Sequence, residues 1–253
     1  MAAISGDFDV AQVFPTSVGQ YQIQFSEQEE ETIKKFTDPD YYIENSYWVD
    51  GGKGRNVKFN PYDSAEKKRE DPVWDDDFLI LWVGSNLLSH PEWHGVRDAI
   101  VDICNHYVRT VLGMAMPENA SCGVADSWII KTTNTADYPT PYHRKHNHSF
   151  AWLTGILYLD DSPNGTILHC NEEFESRYLP FCWPQTDNEW NANNWGTKAE
   201  KGKVIIFPAQ MNHSIMNNAD GSVRHTLPFN IFPFGEVNSE NAAQLYYQQT
   251  MKR

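Results

Sequence analysis

His146-Asn-His-Ser-Phe-Ala-Trp-Leu-Thr-Gly-Ile-Leu-Tyr-Leu159 sets two histidines one residue apart, just before an apolar, strand-like run. A second such run, Lys203-Val-Ile-Ile-Phe-Pro208, precedes a third histidine, His213, and Arg224-His-Thr226 follows. In a strand, residues i and i+2 share a face and lie about 7 Å apart along the chain, so His146 and His148 can converge on one ion. Imidazole suits iron, zinc, copper and nickel. His213, at the end of a neighbouring strand, can close a three-point face and leave other positions open, as catalytic metal sites do. A lone His-x-His pair reads as hydrogen-bonded surface. The third histidine and the Arg-x-Thr behind it favour a metal held in a β-barrel.

Arg224 and Thr226 share a strand face. A guanidinium fork and a hydroxyl there can hold a carboxylate by paired hydrogen bonds. Val223, His225, Leu227, Phe229 and Ile231 fall on the opposite face and read as packing residues. Burying an arginine without an anion is costly, so Arg224 calls for one. A structural salt bridge to one of the many acids is the competing explanation.

Working outward, the texture from about residue 125 is of strands and turns. Ser127-Trp-Ile-Ile-Lys-Thr132 is strand-like, and Asn164-Gly165 signals a tight hairpin returning as Thr166-Ile-Leu-His-Cys170. Asp220-Gly221 offers a second turn before a last strand over 223–232. Five or six strands preceded by helices predict a mainly β chain with flanking helices, a double-stranded β-helix of the jelly-roll or cupin-like kind. Residues 171–202, with Trp183, Trp190 and Trp195, are long for a barrel connection and read as a lid or as a surface excursion packing its own tryptophans. Residues 49–76 read as a solvated loop.

Two helices precede the strands. Ser26-Glu-Gln-Glu29 has the capping-box pattern and leads to Ile33 and Phe36. Ser89-His-Pro-Glu92 repeats it, and Trp93, Val96, Ile100, Ile103, Tyr107 and Val111 recur at helical spacing up to Gly113. That stripe should brace the sheet. His90, His94 and His106 lie on or beside this helix and read as structural or solvent-facing.

The chain of 253 residues, 40% of them hydrophobic, is ample for a packed core. We take 1–253 as one domain: helical and strand support over 1–124, a jelly-roll core over 125–232 and a C-terminal tail over 233–253. A net charge of −14 repels phosphate backbones, so no nucleic-acid partner is expected. Arg144 and Lys145 are too few for a basic patch. Cys104, Cys122, Cys170 and Cys182 form no CxxC and read as free thiols in a reducing compartment. The N-terminus lacks the features of a signal peptide, and no run reaches membrane-spanning length, so the expected location is cytoplasmic with no membrane partner.

These motifs resemble a His-x-His branch of the 2-oxoglutarate and Fe(II)-dependent oxygenase superfamily, of the prolyl-hydroxylase-like jelly-roll type. That branch carries a Ser/Thr-Gly-Val-Tyr-Tyr-type strand, matched by Thr154-Gly-Ile-Leu-Tyr158. Its Gly-x-Leu-x-x-Phe-Pro-x-x-x-x-His segment is matched by Gly202-Lys-Val-Ile-Ile-Phe-Pro208 and His213, and its Arg-x-Ser/Thr-x-x-Phe-Asn strand by Arg224-His-Thr-Leu-Pro-Phe-Asn230. Phe14-Pro-Thr16 is similar to the branch's opening strand. The resemblance implies an enzyme that holds Fe(II), splits 2-oxoglutarate with O2 into succinate and CO2, and hydroxylates an unidentified small molecule or peptide. Ascorbate remains an option as a further cofactor. His146 and His213 map onto the histidine ligands and Arg224 onto the grip on the far carboxylate, assisted by Thr226, with Tyr158 a second donor to the cosubstrate.

One position departs from the pattern. The usual triad has a carboxylate two residues after the first histidine, and here that place is His148. Either the site has three histidines or another acid serves. Asp137, Asp160 and Asp161 are nearest in sequence, and His143 is a spare. Two alternatives stand beside the oxygenase: a three-histidine cupin-type dioxygenase that uses no keto acid, and a non-catalytic jelly-roll binding protein.

Overall fold

The chain alternates apolar residues with period two over its second half, and a sheet follows from that alternation. The computed structural model describes residues 16–38, 46–49, 55–59, 80–83, 86–118, 120–133, 145–170, 194–215 and 223–235. Twelve strands are described: β1 (Gly19–Gln22), β2 (Ser46–Val49), β3 (Arg55–Phe59), β4 (Ile80–Val83), β5 (Ser121–Ser127), β6 (Ile129–Thr133), β7 (Leu153–Tyr158), β8 (Thr166–His169), β9 (Asn194–Gly196), β10 (Lys203–Pro208), β11 (His213–Ile215) and β12 (Val223–Phe234). The larger sheet runs β1-β10-β7-β12-β6-β4-β3-β2, with β5 also paired to β12, and the smaller runs β11-β8-β9. All described pairs are antiparallel except β3 with β4.

Two packed layers explain why β7 reads as an unbroken apolar run. Every residue of β7 is buried. Leu153 and Leu157, with Val204, Ile206, Leu227, Phe229 and Ile231, face a core shared with the helices. Ile156 and Tyr158, with Ile205 and Phe207, face the smaller sheet's Leu168. The second set lines the barrel, so the protein is a jelly roll with helices on its outer face. Gly155 is required at the centre of this arrangement. A Cβ there would lie 2.3 Å from the Phe229 ring and 2.8 Å from the Ile205 carbonyl oxygen.

Helix α1 spans Glu27–Thr37 and starts with the expected capping box, in which the Ser26 backbone N–H donates to Glu29 Oε2 at 2.7 Å. Helix α2 spans His94–His106 and continues into a π-helical turn over Tyr107–Val111. That turn changes the predicted stripe. Leu112 N–H donates five residues back, to Tyr107 O, which rotates the following face. Cys104 and Val108 are buried, while Val111 is exposed. The second cap also differs: His90, not Ser89, caps the short turn Pro91–Trp93, its Nδ1 accepting from Glu92 N–H. His94 Nε2 contacts Ser89 O, and His106 Nδ1 contacts the Tyr21 hydroxyl, so both are structural.

Other expectations need correction. Asn164-Gly165 makes no hairpin, because β7 and β8 belong to different sheets and the turn carries the chain between them. The stretch 49–76 holds β3, paired to β2 and β4, so it is not all solvated loop. Strand β1 begins at Gly19, and Phe14-Pro15 lies outside the described residues. So do 171–193, which include most of the suggested lid, and the Asp220-Gly221 turn. Cys104, Cys122 and Cys170 are free thiols, and burial pushes Cys122 up to about 11. Among the described residues, no helix is long and apolar enough to cross a membrane.

Gly155→Ala should lower stability by about 1–3 kcal/mol, the cost of overpacking a close-packed interior. Thermal or urea unfolding of the two proteins measures this. A variant as stable as the parent would show that the β7–β12 contact relaxes.

Candidate metal centre

The three histidines arrive by backbone pairing. His146 N–H donates to His213 O at 3.0 Å, and His213 N–H donates to His146 O at 2.8 Å. This isolated antiparallel bridge sets the two residues side by side at the barrel mouth. His148 N–H donates to Ala209 O at 2.9 Å, which ties the second histidine to the end of β10. One ring nitrogen from each of His146, His148 and His213 lies within 4.8 Å of the others. Their ring centroids are 4.2–5.3 Å apart.

The ring orientations suit a cation. His148 Nε2 and His146 Nε2 are 3.4 Å apart. Two nitrogens bound side by side to one ion at about 2.1 Å each would stand roughly 3 Å apart. His213 Nδ1 lies 3.3 Å from Met211 O, a carbonyl that only accepts, so Nδ1 carries the proton and Nε2 keeps its lone pair. His148 is held on its other side by Asn230, whose Oδ1 is 2.6 Å from Nδ1, and its ring stacks on Trp128. Burial lowers the His148 pKa, against smaller upward effects of Asn230 and Asp126, and so favours the neutral, ligating form.

No described acid completes the site. Asp160 accepts from His225 N–H and pairs with His225 Nδ1 at 2.8 Å. Asp161 accepts from Lys201 N–H at 2.8 Å. Both carboxylates are engaged elsewhere. Asp137, His143 and Arg144 lie outside the described residues.

Arg224 is only 1% exposed. It sits on β12 with Thr226 and Asn230 on the face that lines the barrel; Leu227, Phe229 and Ile231 lie on the other, as expected. Val223 is instead exposed, and His225 is paired with Asp160. The Arg224 Nη1 donates to the Asn164 and Gly165 carbonyls of the turn that joins the sheets. Its Nε is buried without a hydrogen-bond partner, and so is the hydroxyl of Thr132. These two residues are paired across β12 and β6. Directly paired residues project to one face about 5 Å apart, so the two orphaned groups lie on the same face of the sheet. Burial pulls the Arg224 pKa down, opposed by Tyr158 and Asp160. A buried guanidinium and a nearby hydroxyl, both with donors to spare, suit a carboxylate.

The Tyr158 hydroxyl is bonded within the protein, to Thr166: it lies 2.9 Å from Thr166 Oγ1 and accepts from Thr166 N–H at 3.1 Å. Burial pushes the phenol up to about 12, so it stays neutral. These bonds fix the turn that receives the guanidinium. Gly165 must be glycine here, since a Cβ would lie 2.3 Å from Thr197 O and 3.0 Å from the Tyr158 hydroxyl. Thr132 and Asn230 escaped the sequence reading. Their relevance depends on cross-strand register, and only the Phe229-Asn230 ending of the last motif pointed toward either.

Comparison with known proteins agrees with this geometry. Residues 126–230 match the family described as "Putative 2OG-Fe(II) oxygenase". No curated protein matches. Among solved structures, the α-ketoglutarate-dependent epimerase SnoN of nogalamycin biosynthesis is similar, with a TM-score of 0.52, 10% identity, and 86% of this chain and 78% of that one covered. The same epimerase in complex with Fe3+, α-ketoglutarate and nogalamycin RO gives 0.52 and 11%, covering 87% and 81%. A Pseudomonas putida prolyl-4-hydroxylase gives 0.44 and 11%, covering 85% and 92%. At such identities the first two likenesses establish the jelly roll. The matched segment holds all three histidines, Arg224 and Asn230, and over it the chain is similar to the 2-oxoglutarate and Fe(II)-dependent oxygenases.

Proposed function

We propose that this oxygenase hydroxylates a small-molecule or peptide substrate, with Fe(II) held by His146, His148 and His213 and 2-oxoglutarate held by Arg224. The reading extends to one domain, with support over 1–124, the jelly-roll core over 125–232 and a tail over 233–253. The observation that carries it is the pairing of two features in one barrel. Three imidazoles converge, and a buried arginine with an unpartnered Nε lies on the barrel-lining face of β12, the strand whose Asn230 contacts His148. When bound, Fe(II) and 2-oxoglutarate supply the oxidising chemistry: 2-oxoglutarate, O2 and R–H give succinate, CO2 and R–OH.

The chain's own residues bind, orient and exclude water. The three histidines leave positions open to cosubstrate and O2, because each gives one nitrogen. Arg224 takes the far carboxylate through its free Nε edge, with Thr226 beside it on the same face. Thr132 adds a hydroxyl from β6. Ile156, Leu168, Ile205 and Phe207 make the wall between the two ends apolar, which strengthens a charged bond inside it. Tyr158 acts through Thr166, by fixing the turn on which Arg224 rests. The three described donors are neutral imidazoles. The acidic surface makes an extended nucleic acid an unfavourable substrate.

Fe(II) and 2-oxoglutarate added anaerobically should give the weak visible charge-transfer band of the chelate, and O2 should then yield succinate. Protein that binds Fe(II) but neither binds nor consumes 2-oxoglutarate would refute the reading. Arg224→Gln should weaken 2-oxoglutarate at least about 10-fold while metal binding survives, since a charged bidentate bond is worth ~1.5–3 kcal/mol.

Thr132→Val should raise the stability of the ligand-free protein by about 1 kcal/mol, because it removes a buried hydroxyl with no partner at nearly constant shape. The extra thermal stabilisation given by added 2-oxoglutarate should shrink in the same variant. Melting curves with and without the keto acid measure both. A less stable variant would mean that the hydroxyl is satisfied in the free protein.

A further inference from the structure

A histidine in the place of the usual carboxylate can ligate only if its ring is aimed and protonated correctly. The groups around His148 determine both. Thr154 Oγ1 lies 3.3 Å from His148 Nδ1 and donates its single proton to Phe229 O at 3.0 Å. A hydroxyl has one proton, so toward His148 it can only accept. Asn230 offers Oδ1 to the same nitrogen at 2.6 Å. With Thr154 accepting, Nδ1 must be the donor, and the carboxamide must turn its oxygen rather than its nitrogen inward. The imidazole proton is therefore on Nδ1, and Nε2, 3.4 Å from His146 Nε2, keeps its lone pair.

Asn230 is placed for this by two strands. It pairs with Thr154 on β7, and a register shift in the β12–β5 ladder falls between Asn230 and Ile231. Such an irregularity re-aims the side chain beside it. Trp128 stacks on the far side of the imidazole, 5.7 Å away with 23° between the planes. The ring plane and the tautomer are thus fixed by different residues.

We propose that Asn230 is a positioning residue that makes His148 the third, neutral ligand of the metal centre. The inference rests on the iron-site reading above. It adds that the donor set depends on one carboxamide oxygen. Neutral imidazoles do not offset the ion's charge as a carboxylate would. Their basicity, raised by the acceptor on Nδ1, then sets metal affinity.

The test is anaerobic Fe(II) or Co(II) titration of the full chain against a competing chelator, with Co(II) ligand-field spectra and melting curves of the metal-free proteins. Asn230→Leu keeps the bulk and removes the acceptor, and it should weaken metal binding about 10–100-fold with little change in melting. Asn230→Asp supplies a stronger acceptor and should restore or exceed the parent affinity. Combining Asn230→Leu with His148→Ala should cost no more than His148→Ala alone, because Asn230 acts only through that ring. Full additivity of the two losses, or parent-like affinity and spectrum in Asn230→Leu, would overturn the proposal and leave the iron site standing. A parent protein that binds neither ion would remove the iron-site reading and this proposal with it.

Discussion

Two backbone hydrogen bonds between His146 and His213 join segments that are distant along the chain, and the chemistry of the barrel mouth depends on them. His213 opens β11, whereas His146 lies outside the named strands. The bridge stands outside the ladders and closes the gap between the large sheet, through β7 and β10, and the small sheet, through β11. A metal bound there would add to the same closure, because its ligands come from both sides of the barrel. Metal binding and the final packing of the mouth are therefore coupled.

The large sheet can hold such a site because its central strands β7 and β10 are buried on both faces. Its outer face is covered by α1 and α2, and its inner face lines the barrel. Rigid strands fix directions better than loops do, so a buried ionic group is placed with little freedom. Arg224 shows the cost. Its guanidinium is partly satisfied by two carbonyls of the intersheet turn and partly left unpaired. That deficit is tolerable where the surrounding sheet supplies enough stability, and it is useful where an anion is to be captured.

How much of this was legible follows from whether a feature is local. Strands β7, β10 and β12 carry dense β-branched or apolar runs, so both their existence and their faces could be read from the chain. The capping box of α1 was equally local. Strand β3, Arg-Asn-Val-Lys-Phe, carries too many polar side chains to stand out from a solvated stretch, and its pairing is decided by neighbours on both sides. The Asn164-Gly165 turn was recognised, but a turn signal does not say which sheet receives the next strand. The π turn at Tyr107 shifts a helical stripe by an amount that no spacing rule anticipates.

The same division separates the site residues. His146, His148, His213 and Arg224 were visible because their residue types are chemically unusual beside apolar strands. Thr132 and Asn230 are ordinary residues made significant by register: Thr132 by lying across from Arg224, and Asn230 by lying across from Thr154. Moving either strand by one residue would turn these side chains to the opposite face. The Gly155 contact with Phe229 resists such slippage, since any other residue type at that position meets the ring and the Ile205 carbonyl. The glycine in the middle of β7 thus acts on the metal centre indirectly, by holding β7 and β12 in the one alignment that faces Asn230 toward His148.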